Sequence, residues 1–142
     1  MKALTIWQPW AGMVAAGVKG NETRSWPTSY RGRIAIHAAK LDIRVAWRRY
    51  VNDTVTEVIC RRLGLPGIFD AVETFPTGCI LATAELMDCI RITPEYVAKL
   101  DYDELQLGDY TPGRFAWKLE DVKAFPEPIP VRGRQGLWNW ES

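Results

Sequence analysis

The run Thr77-Gly78-Cys79-Ile80-Leu81-Ala82-Thr83-Ala84-Glu85-Leu86-Met87-Asp88-Cys89 constrains the fold most. It is β-branched and apolar enough for a central strand, and far too short to cross a bilayer. A central strand needs a partner on each edge, so the rest of the chain must supply a sheet. Glu85 is the one charge inside the run, and a carboxylate there needs a partner of its own.

Partners are not hard to find. Ala3–Ile6 reads as a short strand, Arg33–Ala38 alternates with isoleucines on one face, Arg114–Val122 alternates as a half-exposed strand, and Leu137–Trp140 is a closing strand. Pro126, Pro128 and Pro130 keep the chain extended after Val122. Two helices stand out. One opens at Gln8-Pro9, with Trp10, Met13, Val14 and Gly17 on one side and Gly17 placed to end it. The other runs from Leu41 to Leu63, where Ile43, Trp47, Tyr50, Val51, Val55, Val58 and Ile59 recur at three- and four-residue steps, with Arg44, Arg48, Arg49, Arg61 and Arg62 opposite. Gly64-Leu65-Pro66-Gly67 breaks that helix, and a loop with one further turn is expected up to Pro76. A short helix over Pro94–Leu100 and an acidic polar stretch around Asp101, Asp103, Glu104 and Asp109 complete the pattern. The reading is a single domain over residues 1–142 of α+β class, with about five or six strands and two main helices.

The composition excludes several classes. With 142 residues, 47% of them hydrophobic and 25% charged, the chain is long enough to bury a core without metals or disulfides and is not disordered. Seven tryptophans suit a tightly filled small barrel or an aromatic platform for bases, and the barrel is the reading taken. Cys60, Cys79 and Cys89 form no C-x-x-C pair and, with one histidine, argue against a metal site. They read as buried thiols of a reducing cytoplasm. No secretory signal or membrane-spanning stretch is visible, and without a heptad pattern a monomer is expected. Net charge is only +1, but residues 1–62 carry 11 basic against 4 acidic groups, while the remainder carries 7 against 13. The expectation is either a basic face where phosphates dock, or two halves that interleave and neutralise each other.

Between the first helix and the next extended segment lies Gly17-Val18-Lys19-Gly20-Asn21-Glu22-Thr23-Arg24. A lysine, a carboxylate and an arginine brought together here can grip an anionic or hydrogen-bonding ligand, and a dehydrated member can act as acid or base. The bland alternatives are a loop lysine paired with a surface acid, and an internal Glu22–Arg24 clamp.

Leu4-Thr5-Ile6-Trp7-Gln8-Pro9-Trp10-Ala11, the G-x-K-x-x-E-x-R element of Gly17, Lys19, Glu22 and Arg24, the stretch Tyr30–Ala38 and Gly113–Trp117 together resemble the ASCH family, the activating-signal-cointegrator homology domains. The resemblance implies a PUA-like mixed β-barrel whose cleft, lined by the Lys-Glu-Arg element, suits RNA or a modified nucleoside. Some relatives are amidohydrolases that remove the acetyl group of N4-acetylcytidine; others look like ribonucleases or RNA-binding modules. In the amidohydrolase branch a threonine stands where this chain has Glu22, a lysine corresponds to Lys19, and Glu85 matches a strand glutamate. Thr23 is one position out, which on an extended strand points to the opposite face.

The expected ligand-binding set is Gln8, Lys19, Glu22, Arg24, Trp26 and Tyr30, without metal or cofactor. Gln8 would read a base edge or cap the first helix; Trp26 and Tyr30 would stack a base or pack as core. Should the protein be a hydrolase, its catalytic set would be Lys19, Glu22 and Glu85, with Glu85 opposite Lys19 and activating water. His37 is either a proton carrier or a satisfied structural histidine. A cleft serving a protein partner is the third possibility.

Overall fold

The computed structural model describes residues 1–67, 70 and 74–141. Along the chain run β1 (Lys2–Ile6), α1 (Trp10–Ala15), β2 (Asn21–Arg24), β3 (Gly32–Ala38), α2 (Ile43–Tyr50), α3 (Asp53–Leu63), β4 (Cys79–Arg91), α4 (Pro94–Val97), α5 (Tyr102–Gln106), β5 (Phe115–Pro130) and β6 (Leu137–Asn139). The strands form one mixed sheet in the order β2-β5-β4-β3-β1-β6. The β1/β3 pairing is parallel and the other pairings are antiparallel.

The Thr77–Cys89 run becomes β4, between β3 and β5, as its composition requires. Its ladder with β5 slips at Ile80/Ala82, Thr83/Glu85 and Leu86/Asp88, and each slip adds local bend and twist. The sheet therefore curls into a half-barrel that leaves β2 and β6 as its margins. Inside the curl, Leu4, Ile6, Ile34, Ile36, Ala82, Ala84, Leu86, Trp117 and Leu119 pack on Ala11 and Val14 of α1. Met13, from the same short helix, joins a second apolar cluster with Ile43, Trp47, Val55, Val58, Ile59 and Leu107. By facing both clusters, α1 fixes α2 and α3 against the sheet and sets the position of the loop that follows it.

The single helix expected from Leu41 to Leu63 is two helices. Val51 is extended (φ −113°, ψ 113°), and Asn52 accepts the Val55 N–H at 2.8 Å to cap a new start. The apolar stripe runs through the break because both helices bury it in one cluster, and Trp47 Nε1 donates across the bend to Thr56 Oγ1 at 2.9 Å. The acidic stretch after Leu100 also contains a helix, α5, capped by Asp101, which accepts the Glu104 N–H at 2.8 Å. Of the loop expected before Pro76, residues 68, 69 and 71–73 lie outside the described residues.

The basic and acidic halves do interleave in places. Asp103 pairs with Arg61 at 2.7 Å and with Arg62 at 2.9 Å, Asp88 pairs with Arg31, and Asp121 with Arg33. Cys60, Cys79 and Cys89 are free thiols. Among the described residues no helix is long and apolar enough to cross a membrane.

Candidate functional site

The site begins where α1 stops. Gly17 takes a left-handed φ of 75°, which terminates the helix, and the Val18 and Lys19 N–H groups then both donate to Met13 O at 3.0 Å. This turn directs Lys19 inward, where it is only 1% exposed. Its Nζ donates to Asn21 O and lies 3.9 Å from Glu22 Oε1. Burial pulls the Lys19 pKa below that of an ordinary lysine, while the Glu22 and Glu104 charges oppose the shift.

A buried scaffold holds the turn from behind. Gly20 N–H donates to Glu104 Oε1 at 2.7 Å, and the Tyr110 hydroxyl donates to Glu104 Oε2 at 3.0 Å. Asn21 Nδ2 donates to the Tyr96 and Tyr110 hydroxyls at 3.0 and 3.2 Å. Burial pushes the Tyr110 pKa up, keeping the phenol neutral as this donor. Glu104 is not readable from the sequence as part of the site, because it lies 84 residues from the Gly20 amide it accepts.

On β2 the side chains alternate, so Glu22 and Arg24 share a face. Glu22 Oε2 accepts from Arg24 Nε at 3.1 Å and sits 2.9 Å from Nη2, while Nη2 also donates to Thr5 O at 2.7 Å. Among the described residues Glu22 Oε1 has no hydrogen-bond donor. The ammonium of Lys19 has three donors, of which the Asn21 carbonyl takes one. A free acceptor and spare donors thus lie side by side. Thr23 turns its hydroxyl to the Asp109 N–H, at 3.1 Å.

These groups line a cavity of about 660 Å³, together with Trp7, Trp10, Tyr50, Asn52 and Arg114. That volume falls within the range of about 300–1,000 Å³ usual for small-ligand sites. Trp7 and Tyr50 are stacked, with ring centroids 4.6 Å apart and planes inclined by 27°, yet they remain 47% and 43% exposed. Two large exposed rings at a polar cavity are an aromatic platform. The sequence shows Trp7 only as part of the Leu4–Ala11 stretch and Tyr50 as a helix apolar position, and only the fold brings the two rings together.

Other candidates lie elsewhere. Gln8 is buried and engaged at both ends of its amide: its Oε1 accepts the Gly12 N–H at 2.8 Å and its Nε2 donates to Pro76 O at 2.8 Å, so it braces α1 and does not line the cavity. Trp26 packs edge-on against Trp117 with centroids 4.7 Å apart, and the Tyr30 hydroxyl donates to Arg33 O at 3.2 Å; neither ring lines the cavity. Glu85 is not opposite Lys19. It is cross-strand from Arg33, whose Nε lies 3.0 Å from its Oε1, on the face of β4 opposite to the core residues Ala84 and Leu86. The partner that Glu85 required is therefore Arg33.

His37 is buried in a chain of hydrogen bonds whose direction can be assigned. Trp138 Nε1, a donor only, meets Thr5 Oγ1 at 3.0 Å, and Thr5 Oγ1 lies 3.2 Å from His37 Nδ1. The Val131 carbonyl can only accept, so His37 Nε2–H donates to it at 2.7 Å, and in the neutral ring Nδ1 then accepts from the Thr5 hydroxyl. These contacts occupy both ring nitrogens, and burial lowers the His37 pKa. Among the described residues no three His, Cys, Asp or Glu side chains gather to hold a metal ion.

A curled α+β sheet with a charged cleft beside its first helix is the class these features define. The chain matches the ASCH domain model over residues 4–129, and it belongs to that family. It is 25% identical to human activating signal cointegrator 1 over 140 residues and to the mouse protein over 142, with 98% of this chain covered in each case. The chain spans 22% of the length of those curated relatives. A crystal structure of a mutant ASCH protein from Zymomonas mobilis aligns with 92% of this chain and 75% of its own, at 17% identity and a TM-score of 0.47.

Proposed function

We propose that the Lys19-Glu22-Arg24 cleft binds a nucleobase, presented by RNA or by a modified nucleoside. The observation that supports this most is the free Glu22 Oε1 next to the Lys19 ammonium, 3.9 Å apart, in the cavity that also holds the exposed Trp7–Tyr50 pair. An exocyclic amino group donates to Glu22, an adjacent ring carbonyl accepts from Lys19, and the base plane lies on the aromatic rings. Arg24 holds the Glu22 carboxylate in place through its Nε and Nη2 contacts.

The alternative is hydrolysis of an acylated nucleoside or an RNA phosphodiester. It rests on Lys19, buried 3.9 Å from Glu22 with its pKa lowered by burial, as the group that would exchange a proton with the substrate. Glu85, engaged by Arg33, has no part in it. Use of the cleft by a protein partner has no separate observation in its favour.

Titrating tryptophan fluorescence with cytidine, N4-acetylcytidine and short single-stranded RNAs, with product analysis by mass spectrometry, tests these readings together. Saturable quenching without product, weakened by Trp7→Ala and by Glu22→Gln, is the expected result. Product formation lost in Lys19→Ala and Glu22→Gln would establish the hydrolase. If no base-containing ligand binds the wild-type protein, the proposal fails.

A further inference from the structure

A second cavity, of about 910 Å³, also has Thr5 in its wall and is lined by Lys40, Arg132 and Arg134 along with His37 and Gln135. Thr5 is common to both cavities. Its carbonyl accepts from Arg24, while its hydroxyl meets His37. The two hollows thus meet different atoms of one residue.

The second hollow is built, not incidental. Val131 is tied at both ends of its peptide: its N–H donates to Gly78 O at 3.2 Å and its carbonyl accepts from His37. Gly133 is pressed onto the same ring, where a Cβ would lie 2.5 Å from His37 Cε1 and 2.8 Å from Thr5 Oγ1. No other residue fits there unless its neighbours move. The loop is seated through Val131 and Gly133, and the flanking Arg132 and Arg134 are left exposed. Lys40 reaches the cavity from the end of β3, with its stem over Gly78. Among the described residues none of the three cations has an ion-pair partner. This contrasts with Arg33, Arg61 and Arg62, whose charges are met by carboxylates.

We infer that this cavity is a phosphate site that holds the backbone of a single-stranded RNA whose base occupies the neighbouring cleft. Three unopposed cations in one hollow are suited to phosphodiester oxygens, and arginine forks engage two oxygens at once. Because the hollows share Thr5, one strand reaches both, and an oligonucleotide is the ligand class rather than a free nucleoside. The inference rests on the nucleobase reading of the first cleft.

Three binding measurements separate the phosphate site from the nucleobase cleft. Fluorescence anisotropy of a labelled six-nucleotide RNA is measured from low to moderate salt for the wild type, for Arg132→Ser/Arg134→Ser and for Trp7→Ala. Cytidine binding and the shifts of the 131–135 backbone amides in inorganic phosphate are followed in parallel. The double variant is expected to bind the RNA more weakly, with its log-log salt slope shallower by about 0.7 for each phosphate that is no longer neutralised. Its affinity for cytidine should be that of the wild type. An unchanged RNA affinity and slope in the double variant, with RNA binding abolished in Trp7→Ala, overturns the phosphate site and leaves the nucleobase cleft standing. Amide shifts with inorganic phosphate but no RNA binding overturn the polynucleotide assignment. Failure of the wild type to bind cytidine, with RNA still held through Arg132 and Arg134, sinks the cleft reading and keeps the phosphate site.

Discussion

Lys19 and Arg24 reach the first cavity from within the packed structure, whereas Arg132 and Arg134 rise into the second from an exposed loop. The first pair shares the Glu22 carboxylate and is held by backbone carbonyls; among the described residues no carboxylate lines the second cavity. The same type of charge thus serves two purposes. A buried cation beside a carboxylate offers directional hydrogen bonds to a small polar edge, and its placement is fixed before a ligand arrives. Exposed, unopposed cations offer charge, which attracts any phosphate and is screened by salt.

The largest effect should come from breaking the buried set. Glu22→Ala removes the carboxylate that faces both Lys19 and Arg24, and loss of one partner from such a group costs about 3–5 kcal/mol. Urea unfolding measures this, and a cost below about 1 kcal/mol would mean that solvent already screens the cluster as it does surface pairs. Next is Gly133→Ala, which drives a methyl group into His37 and Thr5. Overpacking of this kind costs about 1–3 kcal/mol and should unseat the loop, weakening RNA binding while cytidine binding persists.

A third outcome concerns pH. His37 has its pKa lowered in the folded protein, so the unfolded chain binds the proton more readily. The stability it contributes is complete above the ordinary histidine pKa of about 6.5 and is lost as pH falls through the lowered folded value. Melting temperature should therefore drop on acidification from neutral pH, and more steeply in the wild type than in His37→Gln. Identical profiles would show that His37 carries none of the dependence. The smallest effect belongs to Arg132→Ser/Arg134→Ser, which should alter folding stability by no more than about 0.5 kcal/mol, the scale of ordinary surface changes. A larger loss would make the arginines part of the framework and erase the contrast with Lys19.

Much of the sheet is legible in the sequence because β4 is apolar throughout its first half and β5 opens with period-two alternation. The two-helix break at Asn52 is hidden because an apolar stripe reports burial, and both helices bury the same side; the capping run Asn52-Asp53-Thr54 is the available signal. Lys19, Glu22 and Arg24 can be read as neighbours since they follow one turn and one strand face. Trp7 with Tyr50, and Glu104 behind the turn, depend on contacts between distant segments and leave no local trace. Glu85 shows the limit of an interior charge as a signal: strand parity decides which face it takes, and the register with Arg33 settles it.

The outermost strand β2 also bears on what the free edge of the sheet can accept. A marginal strand exposes carbonyls that invite another chain to add to the sheet. Here Lys19 occupies the Asn21 carbonyl and Arg114 Nη2 donates to that of Thr23 at 3.4 Å, so alternate acceptors along the rim are stoppered by side chains. The residues that shape the cleft therefore guard against aggregation by strand addition as well.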